Sequence, residues 1–149
     1  LRYDNDTIYM VKKLVKYHDC AIEPTEKGVR RAVMKMGGNV FPLLLEVKRA
    51  DMLAQSLYRR EEKERALETL GRLYETVLEK EQCVSLKTLA INGRDLMAEA
   101  GMAPGRELGE VLSKLLDLVV EDPGQNRREI LLDRAREMAK NTESTVKGK

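Results

Sequence analysis

The chain has very few aromatic side chains: its 149 residues include no Trp, one Phe and five Tyr. Sheet cores draw heavily on aromatic and β-branched residues, so a core of Leu, Val, Met and Ala favours helices packed on helices. Cys20 and Cys83 are the only cysteines, and their wide separation excludes a disulfide-dense secreted domain. We therefore expect an all-α helical bundle with reduced thiols, located in the cytoplasm.

Two further absences limit the possible functions. The sequence has no signal peptide and no apolar run long enough to span a bilayer, so we expect no membrane partner. It also lacks a Walker loop, a GxGxxG turn, a Ser/His/Asp set and a glycine-serine turn followed by an Asp-x-Asp pair, so no known catalytic centre is evident. Basic residues exceed acidic ones by only 27 to 25, which means that any surface for nucleic acid must be local.

Residues 90–123 carry the most informative pattern, which predicts two helices joined by a Gly/Pro turn. Asn92-Gly93 is typical of a helix start, and Gly101 is typical of a left-handed helix end. Pro104-Gly105 then opens a second helix, in which apolar residues recur at helical spacing until Asp122-Pro123 ends it.

Such a hairpin leaves backbone N–H groups exposed beside Arg94 and Arg106. Exposed N–H groups at a helix start, together with guanidinium groups, suit a phosphate. The same pattern also fits a plain capped hairpin that packs on neighbouring helices, so both interpretations stay open at this point.

Hydrophobic periodicity predicts the remaining helices. They begin after Asp4 or Asn5, after Thr25, near Phe41-Pro42, near Tyr58 and after Asn126, whose side chain forms a capping-box-like pair with Glu129. The helix after Thr25 carries a basic stripe that suits either a phosphate backbone or a solvated face, formed by Lys27, Arg30, Arg31 and Lys35.

Three stretches of the sequence, taken in order, resemble one known family. They are VKYHD at residues 15–19, VKRADMLAQS at residues 47–56, and LKTLAINGRDLM at residues 86–97 followed by GMAPGRELGEVLSKLLDLVVEDP. The combination resembles the C-terminal region of bacterial tRNA nucleotidyltransferases, the CCA-adding enzymes of the poly(A) polymerase family. We therefore expect part of an HD-like helical body at residues 1–83 and a helical tail domain at residues 84–141. Residues 142–149 are small and polar, and we expect them to be disordered.

The resemblance implies that tRNA is the partner. In this family the C-terminal helical domains hold the elbow and T arm of tRNA while its acceptor end reaches the catalytic head. Lys and Arg side chains and helix N-termini would then contact phosphates, with shape identifying the duplex. We expect these contacts in the hairpin, at Asn92, Gly93, Arg94, Gly105 and Arg106, and on charge and position alone at Lys87, Arg127 and Arg128.

The resemblance also implies that this chain is inactive alone. The catalytic residues and the Mg²⁺ that they hold would belong to an N-terminal catalytic head of the same parent chain, and we expect no cofactor here. The start at Leu1, without an initiator Met, fits a fragment.

His18-Asp19 and the segment Ala50–Ala54, which contains Asp51, resemble two elements of the HD-domain metal site. The first histidine and the His-Asp dipeptide of that superfamily have no counterpart here, so we expect a structural role for Asp51. One alternative is the back half of an HD phosphohydrolase, with His18, Asp19 and Asp51 as part of a divalent metal site. Another is a helical protein-interaction module, including a dimerising one, which uses the long helix predicted from Tyr58 to Gln82 as its contact surface.

Overall fold

The computed structural model describes residues 2–55, 57–80, 82 and 85–146, with side chains described as far as residue 141. These residues form seven α-helices and no strand, so the predicted all-α class is confirmed. The chain divides into two compact units, Leu1–Gln82 and Cys83–Lys149. The boundary that we predicted at residues 83 and 84 lies outside the described residues, and the HD-like and tail identities of the two domains stay predictions.

Four helices make up the first unit: α1 (Asn5–Tyr17), α2 (Glu26–Met36), α3 (Val40–Ala54) and α4 (Arg60–Glu79). Side-chain oxygen atoms cap the first two helices at the predicted places. Asp4 accepts a hydrogen bond from the Thr7 amide at 2.6 Å, and Thr25 accepts one from the Gly28 amide at 3.0 Å. These bonds satisfy N–H groups that have no partner within the helix.

The core of the first unit lies between α2, α3 and α4. The Phe41 ring is fully buried, and its centroid is 4.9 Å from that of Tyr74. Burying an aromatic side chain of this size stabilises the fold by about 1.5–3 kcal/mol. The other fully buried side chains are mainly aliphatic, and they include Val29, Val33, Met36, Val40, Leu44 and Val77.

Arg30 does not belong to the basic stripe predicted on α2. Its side chain turns inward and is 6% exposed, and Nη1 donates to Gln82 Oε1 at 2.9 Å. Gln82 in turn donates to Glu26 at 3.1 Å, and Lys80 donates to the same carboxylate at 2.6 Å. Arg30 therefore helps to join the segment after α4 to α2, because a buried guanidinium needs polar partners.

The second unit contains α5 (Gly93–Glu99), α6 (Arg106–Glu121) and α7 (Arg128–Val146), with short 3₁₀ turns at Leu86–Thr88 and Pro123–Gln125. Its core is aliphatic and includes Ile91, Leu96, Leu115, Val119, Leu131 and Ala135. No helix in the described part of the chain is long and apolar enough to cross a membrane.

Helix α7 continues to Val146, although we expected disorder after Asn141. Extending an existing helix fixes one further residue for each hydrogen bond gained, so a polar sequence can continue a helix that packing has started. Residues 147–149 lie outside the described residues.

Candidate nucleic-acid interface

The predicted hairpin is present, and its first helix begins with a capping box. Asn92 Oδ1 accepts hydrogen bonds from the amides of Arg94 at 2.8 Å and Asp95 at 3.2 Å. The Asp95 carboxylate accepts one from the Asn92 amide at 2.8 Å. The expectation of exposed N–H groups at this helix start is therefore wrong for Arg94 and Asp95, because the Asn92 side chain accepts a hydrogen bond from each of these amides.

The start of α6 is different, because no side chain caps it. Gly105 precedes it with φ 155° and ψ −165°, a conformation that is essentially restricted to glycine. A Cβ atom at this position would have no atom within 4 Å, so the space beside Gly105 is open. Within the described residues no side chain therefore accepts the first N–H groups of α6, which lie next to Arg106. Pro104 lies just before the helix and not in its first turn.

The first turns of α5 and α6 lie against each other. A Cβ atom on Gly93 would be 3.1 Å from Leu108 Cδ2 and 3.8 Å from Leu112 Cδ1. Gly93 therefore permits close packing between the two helices. Because Arg94 follows Gly93 directly and Arg106 lies two residues before Leu108, this contact brings the backbones that carry the two predicted arginines together.

The two arginines differ in their partners. Arg106 is 91% exposed, and its Nε donates to Glu110 Oε1 at 2.7 Å, four residues along the helix. Exposed ion pairs of this kind contribute little to stability, so Arg106 is available for other anions. Arg94 is exposed, and within the described residues its guanidinium has no hydrogen bond or ion pair.

Arg128 is held by two carboxylates. Its Nη2 donates to Asp95 Oδ1 at 2.9 Å, and it also bonds to Glu99. The hydrogen bond that Arg128 donates to Asp95, with the one that it donates to Glu99, raises the pKa of Arg128 above its ordinary value. The hydrogen bond from Arg128 and that from the Asn92 amide lower the pKa of Asp95. These bonds join α7 to α5, and this gives Arg128 a structural role that its position in the sequence did not suggest.

Asn126 has a different role from the helix cap that we predicted. Its Oδ1 accepts from the Ala90 amide at 2.8 Å and its Nδ2 donates to the Thr88 carbonyl at 3.0 Å. The capping-box prediction with Glu129 is therefore wrong, because α7 begins only at Arg128 and Asn126 instead fastens the segment before α5. Lys87 and Arg127 are both exposed. Lys87 directly precedes Thr88 and Arg127 directly follows Asn126, so the hydrogen bond between Asn126 and Thr88 brings the segments that carry these two cations together.

The three residues of the possible HD remnant, His18, Asp19 and Asp51, are solvent-exposed. His18 donates from Nδ1 to the Val15 carbonyl at 2.6 Å, and its Nε2 lies 3.0 Å from Asp19 Oδ2. Asp51 accepts from Gln55 at 2.7 Å. Within the described residues, no three His, Cys, Asp or Glu side chains form a group that could hold a metal ion.

Charge is balanced over the second unit as a whole, which contains eleven basic and eleven acidic residues. Sequence reasoning missed the acidic partners that neutralise some of the predicted cations. The spacing of Arg106 and Glu110 could have revealed one pair, because residues four apart share a helix face. Asp95 and Arg128 are far apart in sequence and carry no such signal.

These observations define an all-α protein with a capped helical hairpin and a few exposed cations around it. The family described as "tRNA nucleotidyltransferase domain 2 putative" matches residues 1–135. The chain therefore belongs to this tRNA nucleotidyltransferase family, and the predicted resemblance is confirmed.

A curated relative and the solved structures complete the comparison. The CCA-adding enzyme of Ligilactobacillus salivarius (strain UCC118) is 43% identical to this chain over 54 residues. The match covers 36% of this chain and 13% of that enzyme, so the chain corresponds to a small part of its relative. No solved structure matches the chain significantly.

Proposed function

We propose that this chain is the tRNA-holding C-terminal portion of a cytoplasmic tRNA nucleotidyltransferase, and that it positions tRNA for addition of the 3′ CCA end. Membership of the family and the similarity to a CCA-adding enzyme support the enzyme class and the choice of RNA. In this proposal the nucleotidyl transfer itself, with its Mg²⁺, is carried out by an N-terminal catalytic head of the same parent chain.

The contact between Gly93 and Leu108 is the observation that carries the proposal. It places the first turns of α5 and α6 side by side, and each helix has its positive dipole end there. Arg94 is the second residue of α5, and Arg106 is the first residue of α6. The two helix starts thus bring two exposed guanidinium groups near each other, with Glu107 and Glu110 as their acidic neighbours on α6.

The two helix starts have different tasks in this proposal. At α5 the Asn92 side chain already accepts the first N–H groups, so Asn92 and Gly93 shape the turn and Arg94 supplies the charge. At α6 no side chain caps the N–H groups after Gly105, and they suit a phosphate oxygen together with Arg106. Lys87 and Arg127 add charge beside the segments that Asn126 joins.

Contacts of arginine side chains and helix N–H groups with phosphates recognise the positions of the phosphate groups and not the identity of the bases. A-form RNA has a deep, narrow major groove that side chains cannot enter, so proteins identify the duplex mostly by shape and backbone. Positioning of this kind suits an enzyme that must accept many tRNA sequences and act on one end.

Titration of the chain with labelled RNA tests the proposal. A tRNA lacking its CCA end would be compared with an unstructured RNA of the same length, each at about 50 mM and about 200 mM salt. We expect tighter binding to the tRNA by about tenfold or more, together with an affinity that falls as salt rises. Equal affinity for the two RNAs, or no binding at the lower salt, would contradict the proposal.

A further inference from the structure

An open groove of about 610 Å³ runs along the first unit between α3 and α4. Its apolar lining comes from both helices and consists of Pro42, Leu45, Leu67, Tyr74 and Leu78. Gly71 of α4 lies in the same lining. Leu78 is 52% exposed, so the groove leaves part of a large apolar side chain in contact with water. Exposed apolar surface that is bordered by polar residues is typical of a contact site for a partner.

Gly71 is a second sign that something approaches this groove from outside. It lies in the middle of α4, and a Cβ atom on it would have no atom within 4 Å. A glycine inside a helix costs about 0.5–1 kcal/mol relative to alanine, so the single chain would be more stable with alanine at this position. The packing of the unit explains Gly28, where a Cβ atom would lie 2.3 Å from a carbonyl oxygen, but it does not explain Gly71.

The rim of the groove carries unpaired charges of both signs. They belong to Glu46, Arg49, Glu68, Arg72 and Glu75, all of which are exposed. Within the described residues, none of these five side chains makes a hydrogen bond or an ion pair. Glu68 and Arg72 are four residues apart, which is a favourable spacing for a pair on one helix, yet they do not pair with each other. Their charges therefore stay available to a partner.

The composition of the rim favours a protein helix as the occupant. Its three acids outnumber its two arginines, so a phosphate backbone would be repelled. An amphipathic helix, in contrast, lays its apolar face into such a groove and places its charged residues against the rim. Helix α4 itself has this character, because Leu67, Gly71 and Leu78 share one side of it with Glu68 and Arg72 at the border.

We propose that a second copy of this chain occupies the groove, with the two α4 helices antiparallel and crossing at Gly71. A glycine at the crossing point lets two helix axes come closer than the usual distance of about 8–10 Å. In an antiparallel pair Glu68 of one copy then lies about 3 Å along the helix axis from Arg72 of the other, because two residues separate their levels. Two-fold symmetry makes this ion pair twice. The contact is independent of RNA binding and gives the first unit a partner of its own.

Sedimentation equilibrium of the full 149-residue chain at about 100 µM tests this inference. We expect a mass of twice the 17.0 kDa of one chain. Glu68→Arg and Arg72→Glu each place like charges opposite one another, so each variant should dimerise about tenfold or more weakly. An equimolar mixture of these two variants should regain the double mass, because every arginine then faces a glutamate. The combined variant Glu68→Arg/Arg72→Glu should also dimerise like the unchanged chain.

Matched variants separate this contact from net charge and from helix propensity. Glu137→Arg and Arg134→Glu reverse the same charges on α7 and should leave the mass unchanged. Gly71→Leu should abolish the dimer, because its side chain fills the crossing point. Gly109→Leu should not, although a Cβ atom at that position in α6 also has no atom within 4 Å. Circular dichroism should show the same helix content in every variant.

A mass of one chain for the unchanged protein at about 100 µM would overturn the inference. So would dimers that persist in both Glu68→Arg and Arg72→Glu, or a mixture of these two variants that stays monomeric. None of these results would affect the proposed tRNA-holding function, which depends on the RNA titration alone.

Discussion

Arg128 of α7 donates a hydrogen bond to the carboxylate of Asp95 on α5, with 2.9 Å between Nη2 and Oδ1. The same carboxylate group accepts the Asn92 amide through its other oxygen, so one acid closes the capping box and binds the neighbouring helix. The guanidinium also bonds to Glu99. This arrangement separates the roles of two adjacent arginines, since Arg127 has no such side-chain bond within the described residues.

Alanine at each of these two arginines should therefore have different effects. Arg128→Ala removes the link between α5 and α7, and we expect a lower Tm, measured by circular dichroism, than that of the unchanged chain. Arg127→Ala should leave Tm unchanged, because it removes only an exposed charge. It should reduce the salt slope of tRNA binding, which is the slope of log affinity against log salt concentration, by about 1. A normal Tm for Arg128→Ala would show that the link to Asp95 is not structural.

The link to Asp95 also predicts a dependence of stability on pH. Hydrogen bonds from Arg128 and from the Asn92 amide lower the pKa of Asp95 below its ordinary 3.8 in the folded chain. A carboxyl group with a lowered folded pKa stabilises the fold above its unfolded pKa, and this contribution is lost as pH falls through the folded pKa. Asp95→Asn should thus lower Tm at pH 7, and the difference should shrink as pH falls below about 4. A difference that stays constant down to pH 2.5 would contradict this.

Gly28 and Gly71 form a matched pair for testing the packing of the first unit. A Cβ atom at Gly28 would lie 2.3 Å from the Glu23 carbonyl oxygen and 2.7 Å from Glu23 Cβ, whereas nothing lies within 4 Å of one at Gly71. Gly28→Ala should lower the free energy of unfolding by about 1–3 kcal/mol, because the backbone before α2 must move. Gly71→Ala, within α4, should raise it by about 0.5–1 kcal/mol through its better helix propensity. Urea unfolding measures both, and a stable Gly28→Ala would disprove the close contact.

Glu110 should limit the affinity for RNA. Its carboxylate accepts from Arg106 at 2.7 Å and adds a negative charge beside the start of α6. Glu110→Gln removes that charge, and we expect tRNA to bind about threefold more tightly at low salt. Glu137→Gln serves as the control, because it removes the exposed partner of Arg134 on α7. If both variants gain affinity equally, the effect comes from net charge and not from Arg106.

The fold was largely predictable, because its signals are local. Apolar periodicity and the residues that start and end helices depend on a few neighbouring positions, and the caps at Asp4, Thr25 and Asn92 were found where the sequence placed them. The hairpin of α5 and α6 followed from the same signals.

Side-chain partners across the fold were not predictable. Asn126 resembles a helix cap in sequence, yet it bonds to the segment containing Thr88 and Ala90. Arg30 belongs to a basic stripe by spacing, yet it is buried against Gln82. In each case the partner is distant in sequence, and a polar side chain takes whichever partner the packing of helices brings near. Whether the predicted site residues contact RNA is a property of a complex, which neither helix periodicity nor caps encode.

The salt-dependent binding of tRNA by Arg94→Ala/Arg106→Ala tests the central proposal most directly. Lys114→Ala/Arg134→Ala removes the same charge from exposed positions elsewhere on α6 and α7 and serves as the control. We expect the first variant to bind tRNA about tenfold more weakly or worse at about 0.1 M salt, with a salt slope smaller by about 2 and an unchanged Tm. The control should bind within about twofold of the unchanged chain. Unchanged affinity and slope in Arg94→Ala/Arg106→Ala would contradict the proposal that the paired starts of α5 and α6 hold the tRNA backbone.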